Sequence, residues 1–407
     1  MTTRVLVYDF NATGHCPGWM HLAASGFRQD GAEVTVCCQT DRDEVKPWAE
    51  KLRTESCQII NIPTDTYPHA RRAEELARRL GTERIFFPNF DSIVYDLGKS
   101  GATGVLEGMD VGGIWLRPEL KGEPRGPMRR LVEKLVRTHA NKMRRRHERA
   151  VRNNSRGLAE FLPASRSVRR CRLFFTSEEA AAEVGGLLGA GEVARICDPW
   201  LTRSVVSRSE ARKELGLADA RTVFLHVGTS RPEKGLGDAC EAMLRLSPEI
   251  RGKACLLRAG CVDATDAPAL GRLESAGAAR VMNRYLTEAE LELCYAACDW
   301  VLLPYRDQKE SSGVLIHAAA NGRPVIAADH SLIGASTREY GLGLVFPHKS
   351  VVGLTDVLER VICGDARAGW NPETLATFAE RNSPQAFQQT LVEGWLRTDA
   401  SPARGRK

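Results

Sequence analysis

Residues 299–328, DWVLLPYRDQKESSGVLIHAAANGRPVIAA, decide the fold. Trp300-Val301-Leu302-Leu303 is a continuous apolar run stopped by Pro304, as expected of a parallel strand buried on both faces. After a polar loop, Ser311-Ser312-Gly313 opens an apolar, Ala-rich helix that ends at Asn321-Gly322. Pro324 breaks the helix, and Val325-Ile326-Ala327-Ala328 makes the next buried strand. The Ser/Gly corner stands at a helix N-terminus, where free backbone N–H groups and the positive dipole end attract an anion. It reads equally as an ordinary serine cap. Glu310 lies three residues before Gly313, where a carboxylate can accept hydrogen bonds from sugar hydroxyls.

The same rhythm extends toward the N-terminus. Residues 4–10, RVLVYDF, read as a first strand ending at a Gly-containing loop, Asn11-Ala12-Thr13-Gly14-His15. Helices near 18–29, 43–53 and 69–80 alternate with strands at Glu33–Cys37, Gln58–Ile60, Arg84–Phe87 and Gly113–Leu116. Strands alternating with helices predict an open parallel sheet covered on both faces. The alternation resumes at Leu173–Thr176 and Val193–Ile196, and Cys197-Asp198-Pro199-Trp200 reads as a linker. A second series of strands follows at 223–227, 254–257, 280–282 and the central stretch. The expected division is 1–200, 201–383, and a crossover helix with tail over 384–407.

At 407 residues, two domains are expected, each large enough for a core of its own. A net charge of +6 names no partner by itself. No apolar run reaches the roughly 20 residues that span a bilayer, and MTTRVLVYDF lacks the layout of a signal peptide. The twelve cysteines are scattered, with no CxxC pair. Cys37-Cys38 falls in a strand, and Cys294 and Cys298 share a helix face, which fits thiols packed in a core better than metal ligation. A reducing cytoplasm is the expected compartment.

Residues 117–172 interrupt the rhythm with eighteen Lys/Arg against five Glu. Met128, Leu131, Val132, Leu135 and Val136 recur at helical spacing, giving one apolar and one basic face. Three readings fit: a peripheral contact with an anionic membrane, a basic lining for an anionic acceptor, or a core-packed helix with a solvated face. Nucleic acid is not an expected partner, because no recognition motif or aromatic platform accompanies the charge.

The second domain opens with Gly228-Thr229-Ser230-Arg231-Pro232-Glu233-Lys234-Gly235, directly after a strand and before a helix. Gly228 permits close backbone approach, and Arg231 and Lys234 put two cations at the carboxyl edge where open sheets bind ligands. Together with the corner after Glu310, they can grip a diphosphate from two sides.

Read together, VFLHVGTSRPEKGLGDACEAM, RYLTEAELELCYAACDWVLLPYRD and SSGVLIHAAANGRPVIA resemble the donor-binding domain of glycosyltransferase family 4, over about 209–362. ARKELGL and Gly341–Val345 belong to the same resemblance. The first domain agrees more loosely, through Gly14-His15 and Thr176-Ser177-Glu178. The resemblance implies the GT-B fold, an α/β architecture of two Rossmann-like doubly wound parallel-sheet domains facing a cleft. It also implies a nucleoside-diphosphate sugar as co-substrate, transfer to a hydroxyl acceptor with retention of configuration, and no metal or other cofactor.

Carried over by residue, Arg231 and Lys234 match the diphosphate-binding pair. Ser311, Ser312, Gly313 and Val314 match the loop and helix start that face phosphate and sugar, with Gly14 and Gly228 as close-approach glycines. Glu310 matches the first glutamate of a two-glutamate motif. The second, which contacts ribose in the family, is absent, and His317 or Ala318 takes its place. His317 then either supplies one ribose hydrogen bond or packs beside the site. His15, Asn89 and Arg117 are the candidate acceptor contacts, with Arg117 standing where many members carry a histidine. Asp91 is the first choice for a catalytic base, against a loop-capping role.

The implied enzyme is a hexosyltransferase of glycan, glycolipid or polysaccharide biosynthesis, cytoplasmic or peripheral on the inner membrane face, with an acceptor that includes lipid-linked forms. A sugar-nucleotide 2-epimerase on the same architecture and a catalytically silent sugar-nucleotide-binding subunit are the alternatives.

Overall fold

The computed structural model describes residues 2–11, 16–63, 68–100, 105–116, 168–188, 192–306, 312–365 and 370–398. Gly14, His15, Arg117, Glu310, Ser311 and the basic segment as far as residue 167 lie outside the described residues. The chain forms two units, Met1–Cys197 with Phe387–Lys407, and Asp198–Ala386.

In the first unit the strands are Arg4–Tyr8 (β1), Glu33–Cys38 (β2), Gln58–Asn61 (β3), Arg84–Phe87 (β4), Asp110–Ile114 (β5), Arg170–Phe175 (β6) and Val193–Arg195 (β7). They lie in the order β3-β2-β1-β4-β5-β6-β7, every pair parallel. Helices Cys16–Gln29 (α1), Lys46–Thr54 (α2), His69–Arg79 (α3), Phe90–Ser100 (α4) and Glu178–Leu188 (α5) connect them. Leu6, Tyr8, Ile85, Phe87, Val111, Leu173 and Phe175 pack into one core cluster. Phe86 meets Phe27 of α1 and Trp395, with ring centroids 5.1 and 5.3 Å away. Both faces of the sheet are thus covered, which is why its strands read as unbroken apolar runs.

Two expectations for this unit need correcting. The first strand stops at Tyr8 rather than residue 10, which leaves Asp9 at its carboxyl end. The basic segment was drawn through residue 172, but β6 begins at Arg170. Arg170 belongs to a strand because it has a buried partner: its guanidinium grips Asp110 at 2.8 and 2.7 Å, and Trp395 Nε1 donates to the same carboxylate at 3.0 Å. The C-terminal residues reach this carboxylate through Pro384–Leu391 and a π-helical turn over Val392–Leu396.

The second unit holds Thr222–Val227 (β8), Ala254–Ala259 (β9), Ala279–Met282 (β10), Trp300–Leu303 (β11), Val325–Asp329 (β12) and Gly343–Pro347 (β13). The order is β10-β9-β8-β11-β12-β13, again all parallel. The chain runs outward from β8 through β9 to β10, then returns to place β11 on the other side of β8. That reversal is the topological switch point, where ligands bind at the carboxyl edge. Val223, Leu225, Val301 and Leu303 pack on one face, and Phe224, Trp300 and Leu302 on the other.

The helices here are Arg208–Leu215 (α6), Leu236–Arg245 (α7), Pro248–Gly252 (α8), Ala267–Ser275 (α9), Glu288–Ala297 (α10), Gly313–Ala320 (α11), Ser331–Glu339 (α12), Val351–Ile362 (α13) and Pro372–Arg381 (α14). Cys294 lies in the last turn of α10, and Cys298 caps its end in extended backbone. Both are fully buried in the core.

One buried cation holds the amino ends of β8 and β11 together. Arg212 of α6 is fully buried and donates to the carbonyls of Ala297, Asp219 and Arg221 at 2.9, 2.8 and 3.1 Å. It also donates to Asp299 Oδ2 at 2.6 Å, an oxygen that accepts from the Val223 N–H at 2.8 Å. Removing one member of such a group leaves the rest desolvated and unpaired. Arg212→Met is therefore expected to lower unfolding stability by about 3 kcal/mol, read from urea denaturation; a loss under about 1 kcal/mol counts against this account.

Candidate functional site

At the carboxyl end of β8 the chain turns through Gly228, at φ +102°. Arg258 of β9 fixes that turn from below. It is fully buried and donates to the carbonyls of Gly228, Cys261, His226 and Ala259 at 2.6, 2.9, 3.1 and 2.6 Å. Burial lowers its pKa to about 10, so it stays charged at neutral pH. Ser230 donates to Asp266, anchoring the loop before the two cations.

A short 3-10 turn, Pro232–Lys234, follows and ends at Gly235. Gly235 sits at φ +66°, and a Cβ there would stand 2.0 Å from the Pro304 carbonyl oxygen. Only glycine permits this approach, which brings the loop after β8 against the loop after β11. Two further contacts close the seam: the Arg306 N–H donates to the Glu233 carbonyl at 2.9 Å, and the Arg306 side chain grips Asp238 at 2.7 and 2.6 Å.

Tyr305 is the centre of this arrangement. Its ring is 4% exposed, and the Lys234 ammonium lies 3.9 Å from the ring centroid. Burial pushes the phenol up to about 12, partly offset by the Ser312 hydroxyl and by the charges of Arg231 and Arg258. A buried aromatic ring from the loop after β11 therefore carries the Lys234 ammonium of the loop after β8 on its face. Arg231 is half exposed and pairs with Glu233 at 3.3 Å.

Ser312 takes the N-cap position of α11, but its hydroxyl makes no cap bond to the helix. The first-turn N–H groups, at Gly313 and Val314, have no intrahelical partners by geometry. The Asp198 carboxylate lies alongside, with Oδ2 3.9 Å from where a Gly313 Cβ would stand.

His317, the expected stand-in for a ribose contact, has both ring nitrogens in use. Nε2 accepts from the Leu201 N–H at 3.0 Å. Nδ1 therefore carries the proton and donates to the Gly313 carbonyl at 2.7 Å. Burial lowers its pKa, keeping the ring neutral. His317 thus ties the 198–201 segment to α11, in the packing role that the sequence also allowed.

In the first unit, Asn89 and Asp91 follow β4 as expected, and both have structural partners. Asn89 is buried; it accepts from the Ser92 N–H at 3.2 Å and donates to Cys16 Sγ at 3.3 Å. Asp91 Oδ2 accepts from the Leu116 N–H at 2.9 Å, which joins the loops after β4 and β5. An open cavity of about 650 Å³ lined by Thr2, Ser25, Arg28 and Glu33 lies at the opposite, amino edge of this sheet, away from the expected chemistry.

Tyr305, Arg258, His226 and Asp9 were not singled out from sequence. The signal was present: each is a polar residue inside or directly after an apolar strand, and such residues are buried only with a reason.

The comparisons with known proteins bear on this edge. The family described as glycosyl transferases group 1 matches residues 221–363, which include Gly228, Arg231, Lys234, Tyr305 and Ser312. The second unit carries a group 1 glycosyltransferase domain. A D-inositol 3-phosphate glycosyltransferase of Actinosynnema mirum is 32% identical over 165 residues, covering 38% of this chain and 39% of that protein. The match spans about two fifths of that relative's length. Among solved structures, HepE of Anabaena in complex with UDP has a TM-score of 0.64 at 14% identity, covering 96% of this chain and 99% of that one. Sucrose-phosphate synthase of Thermosynechococcus elongatus has a TM-score of 0.63 at 16% identity, covering 96% and 98%. These likenesses show the GT-B class of fold.

His226 of the glycosyltransferase domain gives the site an acid sensitivity. It is buried under the loop, and Nε2–H donates to the Lys234 carbonyl at 3.1 Å. Burial first, then the Arg258 charge, lowers its pKa to about 3. Its native pKa lies below the unfolded value of about 6.5, so the unfolded chain binds the extra proton, and stability is lost as pH falls from about 6.5 toward 3. Between pH 7 and 5 this amounts to about 2 kcal/mol. His226→Gln is expected to flatten that part of the pH profile in urea denaturation, and an unchanged slope contradicts the assignment.

Proposed function

We propose that this protein transfers a sugar from a nucleoside-diphosphate sugar to a hydroxyl acceptor, with retention of anomeric configuration and with protein cations in place of a metal ion. The observation that carries this reading is the Lys234 ammonium held 3.9 Å from the centroid of the buried Tyr305 ring, at the switch point of the second sheet. Cleavage of the bond from anomeric carbon to phosphate leaves an electron pair on the departing diphosphate. Preorganised cations and helix-end N–H groups stabilise that charge better than water, because they need no reorganisation as it forms.

In this reading Arg231 and Lys234 hold the diphosphate. Gly228, Ser312, Gly313 and Val314 present backbone to phosphate and sugar, and Glu310 and Ser311 complete the donor loop from sequence. Gly14 serves the donor by close backbone approach, Asp91 is the base, and His15, Asn89 and Arg117 contact the acceptor. UDP is the first nucleotide to test, since HepE of Anabaena was solved with UDP and with UDP-glucose. The relative named as a D-inositol 3-phosphate glycosyltransferase makes a polyol phosphate a natural first acceptor. The basic stretch, expected over 117–172 and ended at residue 169 by β6, suits an acceptor presented at an anionic surface on the cytoplasmic face. No helix among the described residues is long and apolar enough to cross a membrane.

The test is a panel of UDP-, GDP-, ADP- and dTDP-sugars, with released nucleotide followed over time for wild type and Lys234→Ala. One donor is expected to turn over slowly without acceptor, and Lys234→Ala to lower that rate about 100-fold while still folding. Near-normal turnover by the variant contradicts the diphosphate assignment. Isomerised donor without acceptor points to an epimerase, and donor bound but never consumed points to a silent subunit.

A further inference from the structure

Asp9 carries chemistry that the fold of the first unit leaves unused. It follows β1, which stands between β2 and β4, so it lies where the strand order of the seven-stranded sheet reverses. Ligands of open α/β sheets bind at that point. The residue is 3% exposed. Oδ1 accepts from the Asn11 N–H at 2.8 Å, whereas Oδ2 has no hydrogen-bond partner among the described residues.

Two other acids of this unit show what structural use looks like. Asp110 is equally buried, but takes Arg170 and Trp395. Asp91 secures the backbone after β5. The ionisation of Asp9 is governed by burial, which pushes its carboxyl up to about 7, opposed only by the Asn11 bond. An unpaired oxygen so buried costs stability beyond what the one Asn11 bond returns, and a group carrying that cost is a candidate for function. The neighbouring Cys16 and Cys38 thiols are themselves pushed upward by burial and by Asp9.

We propose that Asp9 binds the acceptor, its unpaired carboxylate oxygen accepting a hydrogen bond from a hydroxyl of a sugar or polyol. The proposal rests on the reading of the first unit as the acceptor-holding one. Charge fixes which part of the acceptor meets Asp9: a phosphate would face a carboxylate, so a neutral hydroxyl takes this position and any phosphate lies elsewhere. No bond is made or broken at Asp9 in this role; it fixes which hydroxyl is presented.

The test uses the full chain saturated with UDP, with glucose, glycerol and myo-inositol as probes, and compares wild type with Asp9→Ala and Asp9→Asn. Both variants are expected to melt at or above the wild-type temperature, because an unsatisfied buried carboxyl is removed or neutralised. At least one polyol is expected to raise the wild-type Tm more than that of Asp9→Ala, with affinity weakened about tenfold in the variant. UDP affinity is expected to be unchanged. Variants that melt well below wild type and keep the polyol response make Asp9 structural and overturn the proposal. So does a wild type that responds to none of the polyols, or responds no more than Asp9→Ala. A wild type that fails to bind UDP instead sinks the donor reading, and is distinguishable because the polyol comparison can be repeated without nucleotide.

Discussion

An ammonium group held over the face of a buried tyrosine organises the second unit. Lys234 comes from the loop after β8 and Tyr305 from the loop after β11, and these two strands flank the switch point. A cation on an aromatic ring contributes about 0.5–2 kcal/mol, modest beside the core. Its consequence is positional. The flexible stem of Lys234 loses its freedom before a ligand arrives, so less ordering remains to oppose binding. The rest of the edge serves the same end: Gly235 admits the close approach of the two loops, Arg258 pins the Gly228 carbonyl, and Arg212 joins the amino ends of β8 and β11.

The two units use one architecture differently. In the second, the switch point gathers cations and helix-end N–H groups, the equipment for a developing negative charge. In the first, the same position holds a buried carboxyl, the equipment for a neutral hydroxyl. A donor with a charged leaving group and an acceptor with a hydroxyl need these opposite environments. Both positions carry a cost: among the described residues Arg258 Nε of the second unit is buried without a partner, as Asp9 Oδ2 is in the first.

Much of the fold was legible because strands buried on both faces appear as apolar runs, and Trp300–Leu303 and Val325–Ala328 lie where those runs predicted. The corner at Ser312-Gly313 was legible too, as turn chemistry at a helix start. What escaped was long-range. Arg170 looked like the end of a basic stretch because its partner, Asp110, is sixty residues away. His317 stayed ambiguous because Leu201, which occupies Nε2, lies 116 residues back in the chain. Asp9 and His226 were read as members of strands, and Arg258 fell just past the strand drawn at 254–257, although a polar side chain in an apolar run is itself a sign of a buried network. Tyr305 was passed over because a single aromatic after a proline carries no periodicity.

On the proposed reading, Tyr305 holds Lys234 in place for a diphosphate. A double-mutant cycle in UDP binding tests it most directly, with Kd measured calorimetrically for wild type, Lys234→Ala, Tyr305→Leu and the double variant, and Tyr305→Phe as a control that keeps the ring. The account predicts that each single variant weakens binding, that Phe restores most of the loss, and that Tyr305→Leu adds almost nothing once Lys234 is gone. Strictly additive losses, or a Tyr305→Leu protein that binds UDP as tightly as wild type, would contradict it.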